Sequence, residues 1–280
     1  GCACLCLLAS FPTMTDVSPT VLAASYAGLV AVNVVYGRGL FGVRTNAEIS
    51  AAYPTDVTPS GATFAIWGPI FLLEGAGTAV LASGGDASRM ALVAGPWVTT
   101  WLGECLWQAV FGVLPVPQGG ATAGRKLASL APAALFVGAA HVKMLGGALA
   151  LVGGAPAYGL VGAAVVDFPT GLNAGWLAAA SGIAFTLVAQ QVPPLQPLAT
   201  PEAGAVLVGA LTAYGAAVTL SLAGCPAAAL GYAAATAWAC RGIASESAKT
   251  PPIVKTTAAR CALVAVAAGA FALAVGALKR

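Results

Sequence analysis

From Ala91 to Leu114 the chain reads ALVAGPWVTTWLGECLWQAVFGVL, a long apolar run with a single charge, Glu104. A helix that crosses the hydrocarbon of a bilayer needs about 20 mostly apolar residues, and this stretch has that length. Its apolar residues do not alternate as those of a membrane-spanning strand would. Trp97, Trp101, Glu104 and Gln108 follow the spacing i, i+4, i+7, i+11. At about 100° per residue they fall on one stripe of a helix. The segment therefore reads as a transmembrane helix with one aromatic and polar face.

The rest of the chain repeats the apolar theme. Of 280 residues, 12 are Lys or Arg and 9 are Asp or Glu, while 59% are hydrophobic. A water-soluble domain carries about 25% charged residues; with 8% here, most of the surface must face lipid. Breaks rich in polar residues, Pro or Gly separate eight candidate spans: 18–36, 62–83, 91–114, 127–152, 171–190, 203–223, 226–243 and 261–278. Inside hydrocarbon each backbone amide has to be paired within its own segment, which selects helices. The expected fold is all-α, a polytopic integral membrane bundle of about eight transmembrane helices, forming one transmembrane domain over 1–280. The breaks are too short to hold a soluble domain, so the function belongs inside the membrane.

Basic residues in short loops orient such a bundle. Arg38, Arg44, Arg125, Lys126, Arg241, Lys249, Lys255 and Arg260 fall on one side; Arg89, Lys279 and Arg280 fall on the other. This places both termini opposite the cytoplasm, stroma or matrix. The net charge of +3 is too small to suggest a nucleic-acid partner. Cys105, Cys225, Cys240 and Cys261 lie in or beside apolar helices and read as buried thiols. Cys2, Cys4 and Cys6 alternate, which is not zinc spacing, and no disulfide framework is indicated. The apolar run from Cys2 to Ala9 is either a remnant of a targeting sequence or an apolar tether.

In so uncharged a chain the polar residues within spans stand out, because burying one without compensation costs several kcal/mol. They are Asn33, Glu74, Glu104, His141 and Lys143, with Asp167 and Arg241 near helix ends. The stripe of Trp97, Trp101, Glu104 and Gln108 suits a cavity wall on which a flat ligand stacks. It equally suits a packing face whose polar groups bond neighbouring helices. Trp67 and Glu74 repeat the i, i+7 relation on the preceding span, so a bundle that faces these two helices would gather three tryptophans and two carboxyls. Both carboxyls would not stay ionised at that depth without a cation nearby. Lys143 is available, unless it snorkels to an interface. His141, the one histidine, offers an axial ligand to a tetrapyrrole metal or a bond to a neighbouring carbonyl. Asp167, two residues before Pro169, reads as a helix N-cap.

The chain has no GxSxG elbow, HExxH, P-loop or histidine cluster. Hydrolase, oxygenase and respiratory-oxidase chemistries are therefore not expected. Gly209-x-x-x-Ala213 and Ala268-x-x-x-Ala272-x-x-x-Gly276 would let late helices approach closely.

From Thr58 the sequence runs TPSGATFAIWGPIFLLEG. This resembles the TPxGxxFxIWxxIY opening of a helix in the long, TspO-related branch of the tryptophan-rich sensory proteins, the translocator-protein superfamily. NAEISAAYP from Asn46 resembles that branch's EIS-x-x-YP connector, and Glu104-Cys-Leu-Trp107 stands where the family has Asn-x-x-Trp. DFPTGLNAGW from Asp167 and AWACRGI from Ala237 resemble two further motifs, in the right order. The likeness covers about 33–243 and leaves 261–278 as an additional helix. It implies a five-helix core with extra spans and a hydrophobic-ligand site. Porphyrin-type tetrapyrroles and sterols are the ligands of the shorter relatives. By position, Trp67, Trp101, Trp107 and Trp176 would be the packing and cavity aromatics. Glu104 in place of Asn, Phe71 in place of Tyr, and Arg241 in the last motif depart from the pattern.

The expectation is a non-enzymatic TspO-like membrane protein holding a flat hydrophobic ligand, a porphyrin- or chlorophyll-type tetrapyrrole, with lipid or sterol as other ligands. The residues nominated are Trp67, Glu74, Trp97, Trp101, Glu104, Trp107, Gln108, His141 and Trp176. The alternative is an accessory, pigment-binding subunit of a large organellar membrane complex such as a photosystem, in a thylakoid or mitochondrial inner membrane.

Overall fold

The computed structural model describes residues 17–113, 123–154, 159–246 and 250–278. The residues Cys2 to Ala9, most of the break at 115–125, Lys249 and the last two cations lie outside these, as do the side chains of Arg125 and Lys126. Among the described residues nine helices carry the architecture: α1 Pro19–Gly37, the short α2 Asn46–Ala52, α3 Trp67–Ala82, α4 Ala87–Gly112, α5 Ala123–Gly153, α6 Phe168–Gln191, α7 Pro201–Ser221, α8 Pro226–Ser245 and α9 Pro252–Leu278. A 3₁₀ turn, Gly61–Ile66, leads into α3; one α-helical turn and a π turn, Ala163–Asp167, lead into α6.

Local chemistry accounts for four of the helix starts. α1 and α7 each place Pro in the first turn behind a capping hydroxyl: Ser18 Oγ accepts from the Val21 amide and Thr200 Oγ1 from the Ala203 amide, both at 3.3 Å. A proline there gives up an amide that has no helical partner anyway. α4 starts at Asp86, whose Oδ1 accepts from the Arg89 amide at 2.9 Å. α2 is closed by a capping box. Thr45 Oγ1 accepts from the Glu48 amide, and Glu48 Oε2 accepts from the Thr45 amide at 2.8 Å. Those donors, the backbone amide first, hold the Glu48 carboxyl below the usual carboxylate range.

α6 runs through the middle of the bundle, between α5 on one side and α8 on the other; α4 packs on α5 and α1, and α9 on α8 and α7. One apolar core joins these helices through Leu22, Trp97, Trp101, Met144, Leu177, Leu222, Tyr232 and Ala272. Lipid tails are as apolar as leucine, so association rests on close packing and hydrogen bonds. The closest approach is between α6 and α8. A Cβ on Gly171 would overlap the Ala228 carbonyl, and one on Gly231 would overlap the Phe168 carbonyl. Gly209 faces open space, so the first of the expected small-residue steps is not a contact; Gly276, at the end of the second, packs closely on Pro226 and the Ala223 carbonyl.

Among the described residues six helical segments are long and apolar enough to cross a membrane: Pro19–Gly37, Gly61–Ala82, Ala128–Gly153, Gly159–Gln191, Pro201–Ser221 and Pro252–Leu278. The sequence reading also counted α4 and α8. α4 carries Arg89, Glu104 and Gln108, all buried, and α8 is largely buried against α6, α7 and α9. A helix enclosed by other helices needs less apolarity than one facing lipid. The loop cations also shift: Arg89 is buried inside α4, and Lys255 and Arg260 belong to α9.

Candidate functional site

Two neighbouring features gather most of the nominated residues. The first is a cavity between α2, the 3₁₀ turn, α3, α4 and α6, walled by Tyr53, Phe64, Trp67, Trp107, Phe111 and Trp176. The segment before α3 is fixed in place by α8: Ser60 N–H donates to Gly242 O at 3.1 Å and Trp238 Nε1 to Thr63 O at 2.7 Å. From α6, Gln190 Nε2 donates to Pro54 O at 3.2 Å. Trp67 stacks on Phe71 with ring centroids 5.2 Å apart and meets Trp176 edge-on at 6.0 Å. Phe64 approaches Trp176 edge-on from the other side, and Trp107 stacks on Phe111.

The cavity encloses about 60 Å³ and shares Asn46, Ser50, Thr58, Phe64 and Trp67 with an outer vestibule of about 230 Å³. Pockets for drug-sized ligands run from about 300 to 1,000 Å³. The inner space thus admits the edge of a flat ring, and a whole macrocycle fits only if α2 swings outward. Two buried polar atoms of the lining residues, Trp176 Nε1 and Asn46 Oδ1, have no hydrogen-bond partner among the described residues. They offer a ligand one donor and one acceptor.

The second feature is a polar seam across α1, α3, α4 and α6. Trp101 Nε1 donates to Glu74 Oε2 at 2.8 Å. Asn173 Nδ2 donates to Glu74 Oε1 at 2.8 Å and to Glu104 Oε1 at 3.0 Å. Gln108 Nε2 donates to Asn33 Oδ1 at 2.9 Å, and Trp97 Nε1 to Thr170 Oγ1 at 2.9 Å. The stripe on α4 thus meets α3 through Trp101, while Trp97 and Glu104 bond α6 and Gln108 bonds α1, so it forms a packing face and is not among the residues lining the aromatic cavity. Trp97 and Trp101 pack on each other at 5.5 Å, and Tyr26 covers Trp101. The partner that Glu104 has is Asn173; Lys143 lies half-buried on α5.

His141 is held at both ring nitrogens. Nδ1 is 2.9 Å from the Ala174 carbonyl, which only accepts, so Nδ1 carries the proton; Nε2 accepts from the Tyr214 hydroxyl at 2.9 Å. Neither nitrogen is left for a tetrapyrrole metal. Asp167 does not cap α6 either. Its backbone is already helical and its side chain makes no cap bond. Instead Arg89 Nε donates to Oδ1 at 2.8 Å and a second guanidinium nitrogen to Oδ2 at 3.0 Å, a buried bidentate pair.

Asn173, Thr170, Tyr214 and Asn46 were not singled out in the sequence. Asn173 lies inside DFPTGLNAGW, two residues after Gly171 and three before Trp176, and an amide in a span is itself a signal. Cys225, Cys240 and Cys261 are buried thiols and Cys105 is half-buried, all free.

Trp67, Trp107 and Trp176 thus stand about one cavity. A family model described as TSPO-like protein matches residues 19–271, nearly the whole chain. The chain belongs to the TSPO-like protein family. No curated protein and no solved structure matches it. The match reaches into α9, so this TSPO-like protein carries the family's pattern beyond the 33–243 stretch in which the motifs were first legible. With its apolar helices it is an integral membrane protein.

Proposed function

We propose that this TSPO-like protein is a non-enzymatic membrane receptor for a flat hydrophobic ligand, bound edge-on in the cavity of Trp67, Trp107 and Trp176. The observation that carries the reading is that aromatic cavity, with an indole N–H and an amide oxygen of its lining residues left without partners. Aromatic faces give a planar ring a broad dispersion contact, and ring pairs add about 0.5–1.5 kcal/mol beyond burial. A tetrapyrrole is the ligand class that the family resemblance implies. Its aromatic faces and polar periphery suit these walls, provided that α2 yields. Since His141 is fully engaged, such a ligand is held by its faces and rim and not through a metal. The protein itself supplies orientation and exclusion of water.

The decisive experiment is a porphyrin titration, read by tryptophan quenching and the Soret band, into the wild type and cavity variants. Saturable binding that weakens on substitution of the cavity tryptophans supports the reading. Co-purification with a pigmented megadalton-scale complex, with no binding by the isolated chain, would favour the accessory-subunit alternative.

We also propose that both termini lie opposite the basic loops, following the distribution of Arg38, Arg44, Arg125, Lys126 and Arg241.

A further inference from the structure

On the outer face of the bundle, α8 and α9 leave an open groove of about 400 Å³, lined by Ala237, Trp238, Arg241, Ala262, Leu263 and Val266 among others. Leu263 is 72% exposed and Val266 60% exposed, as expected of side chains that meet lipid. Trp238 is partly exposed and its indole is pinned by the bond from Nε1 to Thr63 O. Arg241 follows it by three residues on the same helical face and is exposed. No hydrogen bond or ion pair engages Arg241 or Arg260 among the described residues. α8 ends at Ser245 and α9 begins at Pro252, so the two helices run antiparallel. Arg241 lies about 6 Å from the end of one and Arg260 about 12 Å from the start of the other, at 1.5 Å rise per residue. Both cations therefore stand at the same end of the pair.

An exposed indole beside an arginine marks the depth at which hydrocarbon gives way to headgroups. Away from it the groove walls are methyl groups and aliphatic side chains. The occupant that matches is apolar along one part and anionic at one end. A zwitterionic lipid brings its own cation to the headgroup layer and gains little from two guanidiniums. An anionic one sets a phosphate without a cation of its own beside them. We propose that the α8–α9 groove binds one anionic phospholipid, its phosphate held by Arg241, with Arg260 adding positive charge at the same end of the pair, and an acyl chain laid between Ala237 and Ala262. Basic pockets between transmembrane helices recognise lipid headgroups in this way. Arg241 thereby gains a role distinct from the aromatic cavity.

The test uses the full chain in phosphatidylcholine vesicles containing a small fraction of acyl-brominated phosphatidylglycerol or of equally brominated phosphatidylcholine. Bromine quenches a tryptophan only at contact. The phosphatidylglycerol probe should quench at a mole fraction about fivefold lower than the phosphatidylcholine probe. Arg241→Gln should abolish most of that preference and Arg241→Lys should keep it. Trp238→Phe should remove the preferentially quenched component, and Ala262→Leu, which fills the groove without touching charge, should weaken quenching by both probes. Equal quenching of the wild type by the two probes overturns the site, as does a preference that survives Arg241→Gln or Trp238→Phe. Loss of the preference on adding inorganic phosphate alone would assign the cations to free anions and overturn the lipid. If Arg241→Gln does not fold, Trp238→Phe and Ala262→Leu decide the matter.

Discussion

The indole N–H of Trp101 donates to Glu74 Oε2 at 2.8 Å, tying α4 to α3 through two side chains with 1% and 0% exposure. The other Glu74 oxygen accepts from Asn173, so both of its oxygens are used as acceptors. Glu104 differs: Oε1 accepts from Asn173, while Oε2 is buried without a partner among the described residues. Two carboxyls that share one amide at this depth do not both carry charge. The neutral form is expected at Glu104, whose Oε2 has no donor to lose.

It follows that Glu104→Gln is mild, since an amide keeps the acceptor for Asn173 and stays neutral. Glu104→Leu leaves one Asn173 N–H unpaired and should cost about 1–3 kcal/mol. Glu74→Leu orphans that amide and the Trp101 N–H together and should cost more. Melting temperatures in detergent give the order. Identical melting of wild type, Glu104→Gln and Glu104→Leu would place the carboxyl against water or headgroups.

Removing one partner from the Arg89–Asp167 pair strands a buried charge. Arg89→Met or Asp167→Leu should each destabilise by about 3–5 kcal/mol, and the double substitution should recover most of the loss. Additive losses in a double-mutant cycle would show that the two side chains act independently.

For ligand binding, Trp176→Phe keeps a ring and removes the unpartnered N–H, while Trp67→Ala removes a wall. Each should weaken porphyrin binding by about tenfold or more, a decade being 1.4 kcal/mol. Trp101→Ala, through the lost bond to Glu74, should act mainly on stability. Equal porphyrin affinity in wild type and both cavity variants would mean that the aromatic cavity is packing alone.

The Thr45–Glu48 capping box holds α2 over the vestibule. Because folding lowers the pKa of Glu48, the stabilisation is present above the ordinary carboxylate range and is lost below that range, as pH falls through the lowered pKa. Porphyrin association should be faster in Glu48→Ala than in wild type near pH 7, about 2.5 units above that range. The two should converge in acid. An on-rate indifferent to Glu48 would mean that the ligand enters elsewhere.

Tags at the two ends of the chain should show the same protease accessibility in sealed vesicles, opposite to that of a tag in the Arg38–Arg44 connector. Opposite accessibility of the ends would require an odd number of spans.

Much of this arrangement was legible in the residues. Apolar runs located the long helices, and the i, i+4, i+7, i+11 spacing put four α4 residues on one stripe without saying which helices it would meet. The motif likeness singled out Trp67, Trp101, Trp107 and Trp176; three of them line the cavity, and Trp101 packs against Glu74 and Trp97. Two kinds of feature stayed hidden. Asp167 before a proline has the local pattern of a cap, and only the arrival of Arg89, 78 residues away in the chain, gives it another role. The π turn before α6 had the same effect, since it carries helical backbone back through Asp167. His141 looks like a metal ligand in isolation because nothing local announces Ala174 O and Tyr214. Asn173 is one amide in an apolar span, and its weight comes from two carboxyls on other helices.

The glycine contacts between α6 and α8 have a mechanical consequence. Where Gly171 meets the Ala228 carbonyl and Gly231 the Phe168 carbonyl, backbone rests on backbone with no compressible layer of side chains between. Those two helices can shift only as a single stiff beam. The cavity's wall on α6 is then an anvil, and the turn before α3, pinned to α8 through Ser60 and Thr63, belongs to the same block, which leaves α2 as the light, one-sided lever against it.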